Sequence, residues 1–328
     1  MIKGDYNEYY KVIRLIGNGH FGKVFEGKHK VTNDIRAIKV IDIINEETEL
    51  KDINNEIKNM KICSGNNINS VKIYECYRYK NNLRNEVSII MELCDNNLQN
   101  ILDKRGKGFT CEEIYNIMNQ LNNTFRIMYQ NDIMHRDIKL DNIVVKMNNK
   151  NPNLNFIPKL TDYGISKRLM NTMGKTQGKG TIFTMAPEIL KEGKDYDNKC
   201  DLWSIGIIMY QLYFNEYPFK GATQVAIYNQ IKNKGNKILR KTKNKNLDNL
   251  INRLLTIEPK ERISYEEYFD HPFFNENNNK YDDSIHTLPF TKENCMKILQ
   301  EYFIFKEGDL EKCANAVYTI LKQNIHKK

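Results

Sequence analysis

"GNGHFGKV", residues 17–24, carries three glycines in eight positions. Such a stretch is either a slack turn or a loop whose backbone can lie against phosphate groups, and a lone G-x-G-x-x-G does not separate the two. Its flanks do more. "YYKVIRLI" (9–16) precedes it, "KVFEGKHK" (23–30) follows, and "DIRAIKVI" (34–41) comes next, each rich in β-branched and aromatic residues. That composition predicts three strands. The glycines therefore join two strands of an antiparallel hairpin, whereas in the dinucleotide-binding fingerprint they open a helix.

The pattern continues outward. "TELKDINNEIKNMKIC" (48–63) sets Leu50, Ile53, Ile57 and Met60 at helical spacing, and "SVKIYECYRYK" (70–80) and "NEVSIIMEL" (85–93) read as two more strands. A five-stranded sheet with one helix is expected here. From about Asn96 the chain turns helical. In "FTCEEIYNIMNQLNNTFRIMYQN" (109–131), Ile114, Ile117, Met118, Leu121, Phe125 and Met128 form one stripe, and Thr110 with Glu113 predicts a capping box. "DLWSIGIIMYQLYF" (201–214) is apolar nearly all round, as a helix buried on every side should be. "LDNLINRLL" (247–255) and "SYEEYFDHPFF" (264–274) each predict a further helix. Periodicity then stops, so 275–290 reads as a linker. Two helical patterns follow in 291–328, through Met296, Leu299 and Phe303 and through Leu310, Cys313, Val317, Ile320 and Leu321. Fewer than ~40 residues make a poor independent core, so this extension is expected to pack on the main domain; a small partner-binding module is the other reading.

Composition narrows the class. In 328 residues, 40% are hydrophobic and 28% charged, an ordinary globular balance. Seven scattered cysteines, none in a C-x-x-C pair, argue against a disulfide framework or a zinc site and point to a reducing compartment, the cytosol. No signal-peptide core, myristoylation glycine or membrane-length apolar run occurs. The net charge of +9 comes with lysines set among asparagines, including "KNKGNKILRKTKNKN" (232–246), which reads as a solvated loop. No basic stripe with interleaved aromatics is present, so no nucleic-acid role is expected.

Taken in order, the motifs of residues 9–274 resemble the eukaryotic protein kinase family. "GNGHFGKV" matches its glycine loop, "AIK" (37–39) its third-strand lysine, and "NNEIK" (54–58) its helical glutamate. "HRDIKLDN" (135–142) matches the catalytic loop without a gap, "TDYG" (161–164) stands where D-F-G belongs, and "MAPE" (185–188) and "DLWSIG" (201–206) complete the run. The resemblance implies an α+β, two-lobed fold: an N-terminal extension (1–8), a small lobe (9–93) with an antiparallel sheet and one helix, and a larger helical lobe (94–274). It further implies transfer of the γ-phosphate of ATP, with Mg²⁺, to protein substrates. Phosphoryl transfer offers little covalent work for the protein, so the site must position groups and neutralise charge.

By that resemblance the loop Gly17, Asn18, Gly19, His20, Phe21, Gly22 and Lys23 covers the phosphates. Ile16, Val24 and Ala37 roof the adenine, Val144 floors it, Met91 is the gatekeeper, and Glu92, Leu93 and Cys94 form the hinge. Lys39 holds the α- and β-phosphates and pairs with Glu56. Asp162 and Asn142 are the metal ligands, hard oxygen donors suited to magnesium. Asp137 is the base, Lys139 touches the γ-phosphate, and Thr181 bonds Asp137 and Lys139 across the site. Lysine at 139 together with "GTIFTMAPE" (180–188) is the serine/threonine form. His135, Trp203, Asp201 and the Glu188–Arg262 pair are read as architecture.

Some positions depart from the pattern. Tyr163 replaces the usual Phe, and its hydroxyl needs a partner if the ring packs inward. Arg36 replaces a common valine and is expected at an exposed edge. Arg136 normally pairs with a phosphorylated residue at the place Gln177 occupies here; either Thr176 beside it serves after a small register shift, or the segment orders itself without phosphate. Cys94 is a thiol within reach of a reactive ligand in the ATP site. "YDNKCDLWSIGIIMYQLYFNEYPF" (196–219) looks most like the unc-51-like, autophagy-initiating kinases. A pseudokinase scaffold and a small-molecule kinase are the competing classes. Lys39, Asp137, Asn142 and Asp162 are all present against the first, and the "APE" segment speaks against the second.

Overall fold

The β-branched runs become strands β1 (Ile2–Lys3), β2 (Tyr10–Gly19), β3 (Gly22–His29), β4 (Ile35–Asp42), β5 (Ile73–Lys80) and β6 (Asn85–Met91). They form one sheet in the order β1-β5-β6-β4-β3-β2. This arrangement belongs to a computed structural model, which describes residues 1–19, 22–148, 154–163, 181–191, 196–234 and 240–275. The chain divides into two compact units, Met1–Phe274 and Asn275–Lys328. The two helical patterns expected in 291–328, and the linker before them apart from Asn275, lie outside the described residues.

Strands β2 to β6 pair antiparallel, but the sheet has a sixth member. Ile2 and Lys3 pair in parallel with Tyr77 and Arg78, so the segment 1–8, read as an extension, contributes an edge strand. Its side chains and the two tyrosines that follow it hold it there. Asp5 meets Arg84, Tyr9 stacks on Tyr77 with ring centroids 5.5 Å apart, and Tyr6 and Tyr10 join Tyr77, Ile38 and Ile90 in a small apolar cluster. Arg36 is also not at an edge. It lies on β4, between β3 and β6, over the ring of Tyr74 at 4.1 Å and 3.0 Å from Asp34.

Helix α1 (Glu46–Ser64), capped by Asn45, buries Ile53, Ile57, Met60 and Cys63. Beyond β6 come β7 (Asn96–Asn97), α2 (Leu98–Arg105) and α3 (Cys111–Gln130). The expected capping box of Thr110 and Glu113 opens α3, and all six residues of its predicted stripe are fully buried. Strands β8 (Ile143–Met147) and β9 (Phe156–Leu160) complete a small sheet ordered β7-β8-β9. In the helix Lys199–Phe214 every residue from Cys200 to Leu212 is buried, as its all-round apolar character requires.

"SYEEYFDHPFF" forms two short helices where one was expected, Tyr265–Phe269 and Pro272–Asn275. Pro272 lacks an N–H and disfavours a helical residue before it, so the chain breaks at His271. His271 is buried, with Nε2 2.9 Å from Asn249 Oδ1. Burial, with a smaller contribution from Arg253, lowers its pKa to about 4. Its neutral form therefore favours folding fully above the unfolded value near 6.5. That contribution fades as pH falls from there towards 4. Replacing His271 with Gln should flatten the pH dependence of urea unfolding across that window by on the order of 2 kcal/mol; an unchanged slope would contradict the assignment.

Candidate active site

The segment His135–Asn142 links α3 to β8, and a buried carboxylate sets its shape. Asp201 accepts the backbone N–H groups of His135 and Arg136, each at 2.7 Å. Arg136 takes φ +66°, the left-handed region, where a non-glycine residue is strained. Burial raises the Asp201 pKa, opposed by His135 and these two amides. His135 places Nε2 2.8 Å from the carbonyl of Thr161, joining the loop to the end of β9. These contacts are structural, as anticipated for His135 and Asp201.

Asp137 is 4% exposed. Its Oδ2 lies 2.8 Å from Lys139 Nζ and accepts from Asn142 Nδ2 at 2.9 Å. The same Nδ2 donates to the Asp137 carbonyl at 2.8 Å. The other carboxylate oxygen, Oδ1, is buried and has no hydrogen-bond partner among the described residues. A buried acceptor left open in this way is costly unless a ligand uses it.

Lys39, on β4, is 4% exposed and lies 3.1 Å from Glu56 of α1 and 2.8 Å from Asp162. Burial disfavours its charge, but Asp162 and Glu56 outweigh that and raise its pKa. For Asp162, burial pushes upward and Lys39 pulls further down, so the net pKa is lowered. The site thus holds a charged lysine between two carboxylates. Asp162 also has positive φ, +64°. Beside it Tyr163 is fully buried and its hydroxyl donates to Ser70 Oγ at 2.7 Å, the partner that the Phe-to-Tyr departure requires.

A cleft of about 640 Å³ lies in front of these groups. Ile16, Gly17, Val24 and Ala37 line one wall, Val144 another, and Met91, Glu92, Leu93 and Cys94 one edge, with Asn142 and Asp162 also in the lining. Apolar walls beside a strip of backbone suit a flat heterocycle. Asn18, Gly19, Gly22 and Lys23 belong to the strand ends above but not to the lining, and His20 and Phe21 lie outside the described residues. Lys39, Glu56, Asp137 and Lys139 are likewise not part of the lining. The cleft adds residues not foreseen from the sequence, among them Asn97, Asn100 and Asp141.

The glycines serve different ends. Gly22 has φ +125°, and a Cβ there would sit 2.1 Å from the Val40 carbonyl oxygen, so the protein's own chain demands glycine. At Gly17 a Cβ would meet only Val24 among the described residues, at an ordinary 3.6 Å, so a methyl group fits there.

Two lysines missed by sequence reasoning brace the hinge. Lys159, 5% exposed, lies 3.1 Å from the Glu92 carboxylate and donates to the Ile68 carbonyl at 2.7 Å, while Lys146 donates to the Leu93 carbonyl at 3.1 Å. The alternation in "FIPKL" hides Lys159 because its partners are distant in sequence. Cys94 lines the cleft, within reach of a ligand there as expected, but its reactivity is low. Burial, with a smaller contribution from Glu92, pushes its thiol up to about 12, so it stays protonated and is a poor nucleophile near neutral pH.

Magnesium fits the pair Asn142 and Asp162. With Nδ2 of Asn142 committed to Asp137, its amide oxygen is the atom left to offer a metal, and Asp162 supplies a carboxylate held ionised by Lys39. An ion held by one or two protein oxygens, with the rest from phosphates, needs no larger protein cage. Thr181 begins the short helix Thr181–Thr184, but its side chain, like Thr176 and Gln177, lies outside the described residues. Glu188 and Arg262 form the expected pair, at 2.7 and 2.9 Å.

A family model described as the protein kinase domain matches residues 10–274. Among curated proteins, the chain is 32% identical over 274 residues to serine/threonine-protein kinase atg1 of Dictyostelium discoideum, covering 82% of this chain and 40% of that protein. It is 32% identical over 278 residues to serine/threonine-protein kinase pakG of the same organism, covering 83% and 22%. Serine/threonine-protein kinase 33 of Mus musculus is 32% identical over 286 residues, covering 82% and 55%. The chain thus spans about half or less of the length of these relatives.

Proposed function

Because the chain belongs to the protein kinase domain family, we propose that it transfers the γ-phosphate of ATP to Ser and Thr hydroxyls of protein substrates. The observation that carries this reading is the open Oδ1 of Asp137. Lys139 and Asn142 fix the other oxygen, so the carboxylate presents one buried acceptor in one direction. An acceptor hydroxyl donating to Oδ1 is oriented for attack on phosphorus and gives up its proton there. The scaffold alternative gains nothing from such an arrangement.

The remaining residues position and neutralise. Lys39, held between Glu56 and Asp162, supplies the cation for the α- and β-phosphates. Lys139 stands 2.8 Å from Asp137, placed to meet charge that develops on the transferring group. Asn142 and Asp162 would hold a magnesium ion, which would supply neutralisation of phosphate charge. Ile16, Val24, Ala37 and Val144 exclude water from the adenine, whose polar edge meets the hinge backbone at 92–94. Gly17 lets the strand lie close to the nucleotide. Gly17→Ala should leave stability near wild type and weaken ATP binding several-fold, whereas Gly22→Ala should destabilise the hairpin itself. Equal losses of stability in both would contradict this division.

The likeness to an atg1 kinase agrees with the unc-51-like resemblance, and an autophagy-type or other signalling role is proposed on it. Equal identity to pakG and kinase 33 leaves the catalytic domain as what these relatives share. Free thiols at Cys63, Cys76, Cys94, Cys111 and Cys200 support a cytoplasmic setting. Among the described residues, no helix is long and apolar enough to cross a membrane. A regulatory partner is proposed for 291–328.

The test is transfer of labelled γ-phosphate from ATP–Mg²⁺ to a basic protein, beside an Asp162→Asn control. Label on Ser and Thr that disappears in the control is the expected result. ATP–Mg²⁺ binding without any label would favour the scaffold.

A further inference from the structure

The hydroxyl of Tyr163 sits where three parts of the fold meet. It donates to Ser70 Oγ at 2.7 Å, and all of Tyr163 and 99% of Ser70 are buried. Ser70 belongs to the connection between α1 and β5, and backbone bonds fix its place. Val71 N–H donates to the Leu160 carbonyl at 3.0 Å, and Leu160 N–H to the Asn69 carbonyl at 2.9 Å. Ser70 is thereby bridged to the last residue of β9, two positions before Asp162. On its other side the Tyr163 ring lies 5.2 Å from the ring of His135 in the catalytic loop.

A phenol in an apolar site is costly unless its hydroxyl is satisfied. Here the satisfying partner exists only while the residue next to Asp162 points inward. The bond therefore favours the very conformation in which Asp162 meets Lys39. We propose that Ser70 is a positioning residue: by accepting from Tyr163 it latches Asp162, in its left-handed conformation, into the pose that holds Mg²⁺–ATP. The latch substitutes a directional polar contact for packing alone, and it deepens the phosphotransfer reading on which it rests.

Calorimetric ATP titrations of the full chain, with and without Mg²⁺, test it without requiring turnover. Ser70→Ala strands the Tyr163 hydroxyl and should reduce the Mg²⁺-dependent gain in ATP affinity by about five-fold, with metal-free affinity unchanged; a net hydrogen bond of ordinary strength corresponds to a factor of this order. Adding Tyr163→Phe to that variant removes the stranded group and should restore the gain to within about two-fold of wild type, because apolar groups then face each other. A general loss of structure would lower both affinities together and would not be rescued. An unchanged metal dependence in Ser70→Ala would overturn the latch, as would a double variant as impaired as the single. If Ser70→Ala does not fold, the double variant and Tyr163→Phe alone remain. Both should then fold and keep most of the gain, and a wild-type gain that collapses in both would overturn the proposal. Absence of Mg²⁺-dependent ATP binding in the wild type would overturn the phosphotransfer reading and the latch with it, an outcome distinct from all of these.

Discussion

Asp137→Asn should lower kcat for phosphoryl transfer by about 10²- to 10⁴-fold, the usual size of a general-base contribution, with ATP affinity within about two-fold of wild type. The substitution nearly preserves shape, so it isolates the chemistry. An amide presents either an oxygen or an NH₂ group where the carboxylate had two anionic oxygens. It cannot both receive Lys139 and Asn142 on one side, as Oδ2 does at 2.8 and 2.9 Å, and accept a proton on the other. Asp137 is not in the lining of the cleft, whereas Asn142 and Asp162 are, so nucleotide binding should survive. Steady-state kinetics beside nucleotide titration checks both halves. A variant with wild-type kcat would remove Asp137 from the chemistry, and one that loses ATP as well would make its role structural.

Arg262→Met should cost about 3–5 kcal/mol of stability, the range for breaking one side of a buried ion pair. Arg262 is almost fully buried and places all its donor nitrogens. It makes two bonds to Glu188, at 2.7 and 2.9 Å, and others to the carbonyls of Lys199, Thr256 and Ile257 at 2.7 to 3.1 Å. It therefore joins the short helix at Pro187–Leu190 to the helix Lys199–Phe214 and to the segment after the helix Lys245–Leu254. Methionine fills the volume but strands a carboxylate and three carbonyls. Urea unfolding should show a lower midpoint, and adding Glu188→Gln should recover part of the loss, because the stranded charge is then gone. A loss below about 1 kcal/mol would place this pair with ordinary surface bridges.

The residues that could be read from the sequence are those for which chemistry or periodicity fixes the residue type. Lys39, Asp137, Asn142 and Asp162 were picked out by the order of their motifs, and the fold brings Lys39 to Asp162, Asn142 to Asp137, and Asn142 and Asp162 into one cleft. The α3 stripe and the helix Lys199–Phe214 followed from the spacing of apolar residues. What stayed hidden was the partner of each departure. Tyr163 finds Ser70, 93 residues away, and no local pattern links them. Arg36 settles against Tyr74 and Asp34 in the middle of the sheet, because strand order is not written in any one strand. The edge strand Ile2–Lys3 is too short to show alternation. The break at His271 was legible in principle, since Pro272 marks it. The unlike roles of Gly17 and Gly22 were not, because they depend on how near Val40 comes.

The central claim, that Asp137 Oδ1 takes the proton of an aliphatic hydroxyl as phosphate is transferred, is tested most directly by single-turnover transfer from ATP–Mg²⁺. One peptide carrying Ser, Thr or Tyr at its acceptor position would be given to the wild type and to Asp137→Asn. The account predicts label on the Ser and Thr peptides and background on the Tyr peptide. It also predicts at least a hundred-fold slower transfer by the variant at equal ATP occupancy. Equal rates in the two proteins, or label chiefly on Tyr, would contradict it.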